Sequence, residues 1–123
     1  MTQPLALLFY ERLMPGSQLA NRLQDLKYRV LTVNNISALA ATARREQPLF
    51  LMVDLESRSE VVAAIEKIKS DSPTSHLPII AFGPDKKADL FAAAQRAGAS
   101  LTIGETTLAS HLPQLLDQAM HLE

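Results

Sequence analysis

Two short apolar runs in this chain end in carboxylates. Leu49-Phe50-Leu51-Met52-Val53 is followed by Asp54, and Leu5-Ala6-Leu7-Leu8-Phe9 is followed by Tyr10 and Glu11. Continuous apolar runs of this length, bounded by a proline or a polar loop, are how strands buried on both faces read. In open α/β sheets, ligands and chemistry sit just beyond the carboxyl ends of the strands. Asp54 is therefore either a reactive centre or the remnant of one, and Glu11 would face the same crevice. Two carboxylates there can hold a divalent cation or split their pKa values as acid and base; they can also be solvated acids at loop ends. Spacing alone leaves all three readings open.

Other chemistry-bearing residues point nowhere specific. His76, His111 and His121 lack a mutual metal-binding spacing and read as solvated side chains. The segment after the first run, Glu11-Arg12-Leu13-Met14-Pro15-Gly16, has a single glycine, which counts against a phosphate-cradling loop for nucleotide or flavin. Ser17, Ser57 and Ser110 read as caps or surface residues, since none lies in a G-x-S-x-G turn. With no cysteine, there is no disulfide framework, thiol nucleophile or Cys-based metal site. Arg44-Arg45 reads as a favourable charge pair at a helix C-terminus.

The elements that would position Asp54 and Glu11 alternate strictly. After the first strand, Ser17 can cap a helix carrying Leu19, Leu23 and Leu26, and Arg29 to Val33 is a short β-rich segment. Asn34 or Asn35 caps the next helix, with Ile36, Leu39, Ala40 and Ala43 inward, and Pro48 ends it. Beyond Asp54, Ser57-Arg58-Ser59-Glu60 has capping-box spacing ahead of a helix that buries Val61, Ile65 and Ile68. Leu77 to Gly83 is the fourth strand, and Asp85 caps a helix with Leu90, Ala93, Ala94 and Ala97 that Gly98 closes. Ala99 to Ile103 is the fifth strand. One last helix follows, with Leu108, Leu112, Leu115, Leu116 and Ala119 on one face and Pro113 early in it. Five strand–helix units predict an α/β fold, a three-layer α/β/α sandwich with a parallel sheet in the flavodoxin-like order 2-1-3-4-5.

A chain of 123 residues fits one domain, and 47% hydrophobic with 20% charged residues is an ordinary globular composition. Twelve basic against thirteen acidic side chains give a net charge of −1, and no basic run exceeds a pair. That argues against nucleic acid as the partner. No apolar run approaches a membrane span and the amino end lacks signal-peptide character, so the expectation is a cytoplasmic protein without a membrane partner. Leu122-Glu123 reads either as native or as a vector scar, and in the second case residues 1–123 are one domain of a longer protein.

Along its whole length the chain resembles the receiver domain of bacterial response regulators, the CheY-like fold. The densest match is Leu77-Pro78-Ile79-Ile80 entering strand four, and Ala92-Ala93-Ala94-Gln95-Arg96-Ala97-Gly98-Ala99-Ser100 entering strand five. In that family a strand-three aspartate accepts a phosphoryl group from a histidine kinase. Mg²⁺ is held there by a pair of acids after strand one, and a Ser or Thr ending strand four and a Lys-Pro after strand five grip the phosphoryl group. The resemblance implies Asp54 as the phosphoacceptor position and reduces the metal site to Glu11 and Asp54, because Tyr10 replaces one acid. Gly83 stands where the hydroxyl belongs, Glu105 and Thr106 stand where Lys-Pro belongs, and Thr102 takes the aromatic switch position.

Replacing a cation by Glu105 turns attraction to a phosphoryl group into repulsion, on the order of 3 kcal/mol per charge pair at about 5 Å and an effective dielectric of about 20. Gly83 removes the hydroxyl that reports phosphorylation, and losing a carboxylate weakens a Mg²⁺ site that needs near-octahedral oxygen ligands. The expectation is a degenerate or pseudo-receiver, without enzymatic activity or a resident cofactor. It would act through a protein partner, either a histidine kinase or an output protein, or as a homodimer. The resemblance places the partner face around Phe91, Thr102 and Leu108. Two alternatives stand beside it: a working phosphoacceptor using Asp54 and a divalent ion on Glu11, and a small-ligand binder in which Tyr10 stacks on a ring.

Overall fold

The computed structural model describes residues 4–10, 13–56, 60–84 and 88–121, with the backbone alone at 13–16 and 119–121. Strands and helices alternate through them: β1 (Leu5–Phe9), α1 (Leu13–Asp25), β2 (Arg29–Val33), α2 (Ile36–Glu46), β3 (Phe50–Asp54), α3 (Val61–Ser70), β4 (Ile79–Gly83), α4 (Ala88–Ala97), β5 (Leu101–Gly104), α5 (Glu105–Ser110) and α6 (Leu112–His121). The sheet is parallel in the order β2-β1-β3-β4-β5, as the strand–helix alternation predicts. β3 is central, with Val53 beside Phe9 of β1 and Ala81 of β4.

Alternation along the strands builds two cores. Leu7, Phe9, Leu51, Val53, Ile79 and Ala81 meet Leu39 and Ala43 of α2, Val61, Ile65 and Ile68 of α3, and Ala94 and Ala97 of α4. Ala6, Leu8, Phe50, Met52, Ile80 and Phe82 meet Leu19 and Leu23 of α1, Leu108 of α5, and Leu112, Leu115 and Leu116 of α6. Fully burying one such large side chain stabilises the fold by about 1.5–3 kcal/mol. With both faces covered, β1, β3 and β4 have no solvent side on which to place a polar residue. Asp54, itself completely buried, is thus the first point where β3 can carry one.

Several boundaries differ from the sequence expectation. α1 begins at Leu13, so Ser17 lies inside it and does not cap it. Pro15 falls within the first turn, where a helix has no intrahelical partner for its N–H groups, and its missing donor breaks no bond. α3 begins at Val61 with Glu60 as a cap that makes no side-chain bond; Ser57, like Asp85, lies outside the described residues. Asn35, not Asn34, caps α2, its side chain accepting from the Ser37 N–H at 3.1 Å. Leu49 precedes β3 and is 43% exposed.

The single last helix is two. His111, at φ −128°, separates α5 from α6. Pro113 has no N–H to give to Ala109, and its ring would crowd that carbonyl in a continuous helix, so the chain breaks just ahead of it although the apolar stripe runs on. Both pieces still bury the expected face through Leu108, Leu112, Leu115 and Leu116.

Candidate functional site

The carboxyl ends of β1, β3, β4 and β5 form one rim. Asp54 lies beside Phe82 of β4, and Gly83 beside Gly104 of β5. On the other side Val53 pairs with Phe9, which brings Tyr10 to the next position along, opposite Asp54. Topology therefore gathers Tyr10, Asp54, Gly83 and the Gly104–Glu105 junction at the end of the sheet where chemistry is expected. Glu11 lies outside the described residues.

The Asp54 carboxylate is turned into its own loop. Its Oδ1 accepts the Glu56 N–H at 3.0 Å, an Asx turn that caps the exit from β3, and the residue has no exposed surface. The next residue continues the strand's hydrogen bonding, since the Leu55 N–H donates to the Phe82 carbonyl at 2.7 Å. Tyr10 donates its N–H to the Val33 carbonyl at 3.2 Å, and its half-buried side chain packs on the core beneath α1. That packing leaves little of the Tyr10 ring to stack on a ligand.

Gly83 sits in a small apolar enclosure. A Cβ there would lie 3.5 Å from Leu55 Cβ and 3.7 Å from Phe91 Cε1, both ordinary contacts. The glycine is therefore not enforced by backbone conformation or crowding. Phe91, named from the sequence for an outer face, is in part a neighbour of this site and packs against the core. Nothing in the sequence alone signalled the Leu55–Gly83–Phe91 grouping, because the three residues lie on different elements.

Glu105 opens α5 with Gly104 as its N-cap. It lines a groove of about 390 Å³ together with Gln18, Leu19, Asn21 and Arg22 of α1 and Ala109 of α5. Thr106 is exposed on α5, and Thr102 is half-buried on β5, beside Ala81 of β4. Leu108 is completely buried and cannot present to a partner, because the turn of α5 that carries it rotates it onto β4 and α6. Of the expected partner face, only Phe91 and Thr102 reach solvent, each partly.

Among the described residues no group of three histidine or acidic side chains surrounds a metal position. Of the two expected ligands they include Asp54, with one oxygen already held by the Glu56 N–H, and the neighbouring position offers the Tyr10 ring in place of a carboxylate. The described side chains thus do not by themselves make a Mg²⁺ site.

No protein-family model matches the chain, and no curated protein matches it in sequence. Solved structures do match. A protein provisionally described as a response regulator from Chloroflexus aurantiacus J-10-fl superposes with a TM-score of 0.89 at 14% identity, covering 98% of this chain and 99% of that one. This is the receiver-domain fold. The receiver domain of the sensor histidine kinase PA1611 from Pseudomonas aeruginosa PAO1 matches it with a TM-score of 0.87 at 17% identity, over 98% of this chain and 99% of that one. That structure holds a magnesium ion in its active-site cleft. The chemotaxis response regulator CheY4 of Vibrio cholerae gives 0.83 at 15% identity, over 96% and 99%. In this fold Asp54 occupies the end of the central strand, with Tyr10 and Gly83 at the same rim and Glu105 beside α1.

Proposed function

We infer that this receiver-fold domain serves two-component-type signalling as a pseudo-receiver, binding a protein partner without a phosphorylation switch. The observation that carries the reading is the state of Asp54: completely buried, with Oδ1 engaged by the Glu56 N–H. A phosphoacceptor carboxylate must reach a phosphorus atom in line with its leaving group. Here one of its two oxygens is held in the Asx turn and the whole residue is buried, which narrows that approach. The placement of Glu105 beside α1 adds to this, since a cation at that position is what would hold the phosphoryl oxygens.

Phe91 and Thr102 remain the part of the expected partner face that is open to solvent, and the partner is a kinase, an output domain or a second copy of this chain. Among the described residues no helix is long and apolar enough to cross a membrane. The reading is tested by incubating the protein with acetyl phosphate and Mg²⁺ and recording intact mass beside Asp54→Ala. Unchanged mass in both is the expected result. Mass gain by one phosphoryl group in the parent protein alone would overturn it.

A second reading has Asp54 as a working acceptor, supported by its position at the end of β3 in a fold whose PA1611 relative binds magnesium. The Asp54 carboxylate would attack phosphorus, acetate would leave, and water would later release inorganic phosphate. Glu11 would supply the remaining acid for the ion. Loss of the mass gain in Glu11→Gln as well as in Asp54→Ala is what this reading requires.

A further inference from the structure

The last turn of α2 carries Arg44 and Arg45, and α3 carries Lys67 opposite them. Between the two helices runs a groove of about 450 Å³, floored by Ala40 and Ala41 and walled by Arg44, Arg45, Lys67 and Asp71. The arginine side chains are 64% and 68% exposed. Their ion partners are weak ones: Arg44 Nη1 is 4.0 Å from Asp71 Oδ2, and Arg45 Nε is 2.9 Å from Glu46, its own chain neighbour. Exposed pairs of this kind contribute little and exchange readily for another carboxylate.

The groove is also fixed at one end. Gln47 takes a left-handed conformation after α2, and its Nε2 donates to the carbonyls of Arg44 at 3.2 Å and Pro73 at 3.0 Å. This ties the end of α2 to the connector that follows α3. The alanine floor lets another main chain approach closely between the charged walls.

We propose that the α2–α3 groove docks an acidic peptide segment of a protein partner, with carboxylates on Arg44, Arg45 and Lys67 and a main-chain N–H on Asp71. A nucleic acid fits the groove less well. Its phosphates recur about every 1.7 Å of duplex and call for a longer basic track, and Asp71 would repel them. This surface lies on the side of the sheet opposite α1, α5 and α6, and its use does not depend on whether Asp54 takes a phosphoryl group.

The test is fluorescence anisotropy with a short fluorescein-labelled peptide of alternating Glu and Ala, at low and at physiological salt. Saturable binding that weakens with salt is expected, and the combined variant R44E/R45E/K67E should lose about tenfold or more in affinity. Lys67→Glu alone, the mildest change to the fold, should lose several-fold. Arg29→Glu on β2 and Arg96→Glu on α4 should bind as the parent does. Absence of saturable binding, equal loss in the Arg29 and Arg96 variants, or unchanged binding by Lys67→Glu and the combined variant would overturn the proposal. So would binding to anionic vesicles through the same residues without binding to the peptide.

Discussion

At Asp54, one hydrogen bond separates two outcomes. The amide of Asp54→Asn keeps an oxygen to accept the Glu56 N–H, whereas Asp54→Ala strands that donor in a partly buried turn. A lost bond to a charged acceptor costs about 1.5–3 kcal/mol. Urea unfolding should therefore place Asp54→Ala about 1–3 kcal/mol below the parent, with Asp54→Asn closer to it. The two glycines near the helix α4 strand ends divide in the same way. Gly83→Ala meets only ordinary contacts and should fold normally. Gly98 has φ +120°, and a Cβ there would come within 2.8 Å of Lys69 Cγ, so Gly98→Ala should lose about 1–3 kcal/mol. Tyr28, packed edge-on against Phe50 with centroids 5.3 Å apart, has its hydroxyl pKa raised by burial and then by the charge of Asp117. The folded protein keeps this proton to higher pH than the unfolded chain does. Its contribution is thus complete below about pH 10 and falls as pH rises beyond that. Tyr28→Phe should flatten this part of the alkaline loss, read as the change in urea midpoint between about pH 9 and pH 11.

Among the elements, the strands and the helices α2, α3 and α4 were legible because an apolar run or a 3.6-residue stripe survives in each, as with Leu39 and Ala43 or Ile65 and Ile68. The helix ends were less so. Ser17 has a capping side chain, yet the helix had already started at Leu13, because a proline in the first turn is no barrier. In the last stretch the leucine stripe runs across Pro113, and periodicity cannot register a break that leaves the buried face intact. Pro113→Ala should allow α5 and α6 to join, seen as added helical signal in far-ultraviolet circular dichroism with little change in the urea midpoint. Lys69 illustrates what pattern reading misses altogether. Its ammonium donates to the carbonyls of Ser75 at 3.0 Å and Leu77 at 2.9 Å, holding the connector into β4, and nothing in the sequence marks a lysine as a tie between loop carbonyls.

For the whole molecule, the sheet order and the two-sided core follow from five alternating units, and β3 is the strand on which both cores rest. Leu51→Ala should cost about 2–5 kcal/mol, while Leu49→Ser, one turn of the pleat outside the strand, should be near neutral. The place of Asp54 at a strand end was legible, and its surroundings were not. Sequence reading placed Asp54 at the end of β3, but its burial and its Asx turn depend on how the following loop folds back. Glu105 could be placed after β5, yet its facing toward α1 depends on a helix starting there at once. The most direct measurement of whether this arrangement still switches is a titration of the labelled protein with Mg²⁺ and beryllofluoride, followed by amide NMR. Amide shifts at Asp54, Glu56, Gly83 and Thr102 are expected to stay unchanged through the titration. A saturable change centred on Asp54 and spreading to β5, absent in Asp54→Ala, would contradict the reading of a receiver fold without a receiver switch.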